Sequence, residues 1–173
     1  MSNPSNPEPG SGLKLYEKLM MIFPGYRGYK EKELIRETDR IVREELYRGL
    51  KKSLGDLRNI YSIVVSTQST QNLIDRVERL IYRIDSLAEK TRHAPYGYKP
   101  LFHVFKVDEE VLNKMLEHDL RLGETVRALN NTTSLKPSSA EDIARILDEA
   151  ERIVADYENM LSERERILSG IVR

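Results

Sequence analysis

Apolar residues recur at helical spacing through nearly the whole chain, and the residues that interrupt them are confined to short stretches. No proline lies between Pro24 and Pro95, and residues 138–173 hold no glycine before Gly170. Residues 13–23 (LKLYEKLMMIF) predict a short amphipathic helix stopped by Pro24-Gly25. Leu15, Leu19 and Ile22, with Tyr16, Met20 and Phe23 beside them, give it a broad apolar face. A second helix starts near Tyr29 and carries one stripe through Leu34, Thr38, Ile41, Glu45, Leu50, Leu54, Leu57, Tyr61 and Val64. Gly49 and Gly55 fall inside that pattern, each weakening the helix by about 1 kcal/mol relative to alanine, and the helix is expected to run on through both.

Residues 66–72 (STQSTQN) hold no apolar residue and several side chains that compete for backbone hydrogen bonds, which predicts a tight helix-helix turn. Leu73, Val77, Leu80, Ile84 and Leu87 then mark a third helix ending by Arg92, its face widened by Ile74, Ile81 and Ala88. Residues 93–107 (HAPYGYKPLFHVFKV) form an unusually apolar connector, expected to pack on the bundle with residues 101–105 extended. Asp108 reads as the cap of a fourth helix, with Glu109 and Glu110 in its positive first turn. Leu112, Met115, Leu122, Val126 and Leu129 line that helix, and Asn130-Asn131 ends it. Ser138 with Glu141 reads as a capping box for the fifth. There Ile143, Ala150, Tyr157 and Ile171 share one heptad position, interrupted by Arg164, and Leu147, Val154, Leu161 and Leu168 fill the facing one.

The expected fold is therefore all-α: an elongated antiparallel bundle of four main helices plus a short N-terminal amphipathic helix. Residues 1–12 (MSNPSNPEPGSG) read as a disordered tail and 13–173 as a single helical-bundle domain. The tail lacks the basic and apolar regions of a signal peptide. A fifth helix on the order of 50 Å long beside a third of roughly 33 Å, at 1.5 Å per residue, leaves apolar ends uncovered. That mismatch points to self-association.

Charge sharpens this picture without naming a partner. The chain is neutral overall, but residues 1–93 hold 17 Lys+Arg against 13 Asp+Glu, and residues 94–173 hold 11 against 15. Such an imbalance favours packing of one half on the other, or head-to-tail association. No cysteine is present, which removes disulfides, thiolate metal sites and cysteine nucleophiles and suits a reducing, cytoplasmic setting. No apolar run reaches the roughly 18 residues that span a bilayer.

The chemistry-bearing residues are few. Di-iron bundles need two Glu-x-x-His pairs, and here Lys90, Pro100 and Met115 stand three before His93, His103 and His118. Neither a zinc motif, a phosphate loop nor a nucleophile elbow occurs. No catalytic, cofactor-binding or metal-binding residue is assigned, and no cofactor is expected. Asp119 is the anomaly, since it takes the heptad position of Leu112 and Val126, next to His118. A buried carboxylate needs a charged or multiply hydrogen-bonding partner. Tyr96 and Tyr98 are candidates for a structural polar lock with it, and Arg164, in the last helix's stripe, is another partner by the same logic. Residues 24–33 (PGYRGYKEKE) interleave aromatic and basic side chains, which makes Tyr26, Arg27, Tyr29, Lys30 and Lys32 a candidate surface for nucleic acid or another anion.

Residues 24–33 and 96–110 (YGYKPLFHVFKVDEE), the latter followed by EHDLRL at 117–122, resemble a family of short prokaryotic all-helical proteins with no known activity. That resemblance implies no catalytic residue and suggests a packed or binding role for the two Tyr-Gly segments. The functional expectation is a non-enzymatic helical interaction or scaffold protein whose partner is itself, as a homo-oligomer, or another helical protein. The alternative is a nucleic-acid or anionic-surface binding module.

Overall fold

Each apolar stripe becomes a helix: α1 (Pro9–Ile22), α2 (Lys32–Ser66), α3 (Gln71–His93), α4 (Glu109–Thr133) and α5 (Ala140–Gly170). The computed structural model describes residues 9–28, 32–67, 70–93 and 109–170, and no strand occurs among them. Tyr96 and Tyr98 of the expected polar lock, the rest of the apolar connector from residue 94 on, the Asp108 cap, Tyr29 and Lys30 lie outside the described residues.

The bundle is elongated because its helices are long and nearly unbroken. The 35 residues of α2 and 31 of α5 give rods of about 52 and 46 Å. Helix α2 packs on α3 and α4, α5 packs on α3 and α4, and α1 docks on α4. Within the first hairpin the helices are antiparallel: Lys51 meets Asp85 and Glu89, whereas Tyr61, farther along α2, meets Glu78, earlier in α3. The second hairpin lies beside the first in the same direction. Ser53 therefore pairs with Asn130 and Asp56 with Thr133, while Arg76 reaches Asp148 and Glu151 and Arg83 reaches Glu158. The core fills the space between the four rods with Leu50, Leu57 and Val64 of α2, Val77 and Ile84 of α3, Leu122 and Leu129 of α4, and Leu147, Val154 and Leu161 of α5.

Two interior glycines permit close packing. A Cβ on Gly49 would stand 2.3 Å from Val126 Cγ1, and one on Gly123 would stand 2.5 Å from Ile22 Cγ2 and 2.8 Å from Phe23 Cζ. Helix α4 is thus gripped by α2 at one level and by the end of α1 at another. Beyond α1 the chain turns at Gly25, whose φ of 86° favours glycine.

Several expectations shift. Helix α1 begins at Pro9, ahead of the expected Leu13, and only Leu19 and Phe23 of its apolar face are fully buried. Met20 and Met21 are exposed. In the first half of α2 the buried line runs through Asp39, Val42 and Leu46 instead of Ile41 and Glu45, because a carboxylate occupies a core position and misleads a reading based on hydropathy. Helix α4 continues past Asn130-Asn131 to Thr133. Asn130 accepts from Ser53 Oγ at 2.8 Å, so its side chain serves α2 rather than a helix end. The α5 cap sits one residue later than Ser138/Glu141. Ser139 Oγ accepts from the Asp142 amide at 3.1 Å, and the Asp142 carboxylate reaches back to the Ser138 amide and hydroxyl.

Candidate functional site

The heptad breaks at Asp119 and Arg164 converge where α2 and α4 begin and α3 and α5 end. Asp119 is completely buried, and Arg164 Nε donates to its Oδ1 at 3.0 Å. Arg164 Nη2 lies 2.8 Å from Asp39 Oδ1 on α2. Asp39 Oδ2 accepts from Arg43 Nε at 2.8 Å, one helical turn on, and Arg43 Nη1 donates to the Thr91 carbonyl of α3 at 3.2 Å. The Thr91 hydroxyl is 2.8 Å from the buried Tyr157 hydroxyl of α5. One connected cluster therefore ties all four main helices together.

Among the described residues its charges balance, two carboxylates against two guanidiniums, and each ion is held by directed bonds. Both conditions are needed, because taking an ion out of water costs several kcal/mol. Burial, the largest influence on Tyr157, pushes its hydroxyl up to about 12, so it stays a neutral phenol. His118 is buried beside Asp119 but serves another bond: its Nε2 is 2.7 Å from the Met160 carbonyl. A carbonyl only accepts, so Nε2 carries the proton, and Nδ1 faces Glu163 at 3.9 Å. Chemically this arrangement clamps helices: the buried ions neutralise one another and the phenol is kept protonated.

Arg164 was legible in the sequence as a partner for Asp119; Asp39, Arg43, Thr91 and Tyr157 were not. Asp39 lies three before Val42 and seven before Leu46, a core spacing, and four before Arg43, an ion-pair spacing. Those two spacings together were the available signal. Tyr96 and Tyr98 lie outside the described residues.

The candidate anion surface is split. Tyr26 is in the core, its ring 6.0 Å from the Tyr16 ring and 6.1 Å from Phe23, because an aromatic ring is mostly apolar surface. It offers no face to a ligand. Arg27 is exposed and 3.7 Å from Glu37. Lys32 opens α2, and its side chain lies outside the described ones.

Among the described residues no cluster of histidine and carboxylate groups is arranged to hold a metal ion, and no helix is long and apolar enough to cross a membrane. Between α4 and α5 an open groove of about 620 Å³ runs along the surface. The buried Met160 lies at its base, and Glu124, Asp156 and Glu163 stand around it with Arg121. Comparison with known family models, curated proteins and solved structures finds no match.

Proposed function

We propose that this chain is a non-catalytic helical interaction or scaffold protein that acts through its helix surfaces and associates with itself. One observation supports this reading above the others: unlike charge is segregated between the two hairpins and only partly used within the chain. Helices α2 and α3 hold 13 Lys+Arg against 10 Asp+Glu; α4 and α5 hold 7 against 14. Arg76 and Arg83 spend part of this difference on Asp148, Glu151 and Glu158 across the α3–α5 seam. An acidic groove remains on the second hairpin, and exposed cations remain on α2. A cytoplasmic setting fits the cysteine-free composition.

Sedimentation velocity over a range of concentrations tests the reading. Association that grows with concentration and weakens with salt is expected, since exposed charges are screened beyond about 8–10 Å at ordinary ionic strength. A single monomeric species at every concentration and salt refutes it.

A further inference from the structure

Three glycines lie in the middle of α2 and α4, and two of them are explained by a neighbour that fills the space a Cβ would need. Gly55 is not: it is exposed, and nothing lies within 4 Å of its Cβ position. A glycine inside a helix is destabilising relative to alanine, and no contact among the described residues offsets that cost at Gly55. Its flanks are also distinctive. Lys52 and Arg58, each three residues away, are exposed and make no ion pair among the described residues. Neighbouring Arg48 and Lys51, by contrast, are engaged by Glu45 and by Asp85 and Glu89. At about 100° per residue the two cations sit roughly 60° to either side of Gly55. The outer ridge of α2 is therefore low in the middle and positive on both shoulders.

The α4–α5 groove is the complement of that ridge. Ala128, a small exposed side chain, lines it, and carboxylates stand on both walls: Glu124 on α4, Asp156 and Glu163 on α5. Asp156 and Glu163 are about 10 Å apart along their helix and Lys52 and Arg58 about 9 Å along theirs, so opposite charges come into register when a helix is laid in the groove. We infer that the α4–α5 groove receives the Gly55 ridge of a second copy of this chain, with Gly55 against Ala128 and the two cations against the acidic walls. This rests on the proposed self-association and specifies its surfaces. Ridge and groove belong to different hairpins, since α2 pairs with α3 and the groove lies between α4 and α5. The contact is therefore head-to-tail, and each copy offers its ridge to one neighbour and its groove to another.

Two variants test it by sedimentation velocity at low salt. Gly55→Gln fills the ridge while improving the helix. Glu124→Arg with Asp156→Arg reverses the groove walls at exposed positions, and circular dichroism confirms that both variants remain helical. The wild-type chain is expected to assemble beyond a dimer. Each variant alone is expected to be monomeric, and a one-to-one mixture of the two to stop at a dimer, because one intact ridge and one intact groove remain. If the wild-type chain assembles and both variants assemble equally well, this interface is wrong while self-association stands. If the wild-type chain is monomeric, both readings fall together.

Discussion

Gly49 and Gly55 are the same residue type six positions apart on one helix, and their replacement by alanine should have opposite effects. Helix propensity favours alanine by about 1 kcal/mol at both sites. At Gly55 the new methyl meets nothing within 4 Å, so Gly55→Ala should stabilise by about that amount. At Gly49 the methyl would stand 2.3 Å from Val126 Cγ1 and 3.4 Å from Asn130 Nδ2. Val126 is β-branched and holds essentially one rotamer in a helix, so it cannot turn aside, and α2 and α4 must separate. Overpacking of this kind costs about 1–3 kcal/mol. Gly49→Ala should therefore be destabilising by about 0–2 kcal/mol after the propensity gain is subtracted, leaving the two variants roughly 1–3 kcal/mol apart. Urea unfolding followed by circular dichroism, at high salt to hold the chain monomeric, measures both. The midpoint should move in opposite directions with an unchanged slope. Adding Val126→Ala, which removes the clashing methyl, should cost less in the Gly49→Ala background than in wild type. Equal stabilisation by both alanines would refute the close approach of α2 to α4.

Arg164→Met should destabilise by about 3–5 kcal/mol, because it takes the guanidinium from two buried carboxylates; a loss under about 1 kcal/mol in urea unfolding would show that the cluster is not a clamp. Tyr157→Phe should cost about 1 kcal/mol at neutral pH by removing the Thr91 bond. The phenol's folded value is raised, so its stabilising contribution is complete below about 10 and is lost as pH rises toward about 12. Above pH 10 the wild-type chain should lose stability faster than Tyr157→Phe, and a spectrophotometric titration should show one fewer phenol ionising well above 10 in the variant. Ser139→Ala should cost about 1 kcal/mol as a lost helix cap. Ser138→Ala should instead let the Asp142 carboxyl titrate nearer its ordinary range, because the Ser138 hydroxyl is the largest influence holding it down. Proton titration by NMR separates these two serines, and identical behaviour would place the cap wrongly.

Much of the fold was legible because helix formation and face burial are written locally. The stripe through Leu73, Val77, Leu80, Ile84 and Leu87 is entirely buried, and so is that through Leu147, Val154 and Leu161. The boundaries were less secure, because Ser138 and Ser139 are equally good caps in isolation and only the reach of Asp142 separates them. The α2 face was misread where Asp39 stands in the core, since hydropathy counts a carboxylate as outward.

What the residues determined by themselves is the all-helical character, the hairpin turns and the positions of the heptad breaks. Each of these depends on neighbours within one or two turns. The partners of the buried charges were decided by tertiary structure alone. Asp39 and Arg164 lie 125 positions apart, and whether a carboxylate is buried or solvated depends on a guanidinium brought to it by a different helix. The two glycines of α2 show the same division. Their helical setting is visible in the chain, but whether a methyl group fits depends on the distance to α4.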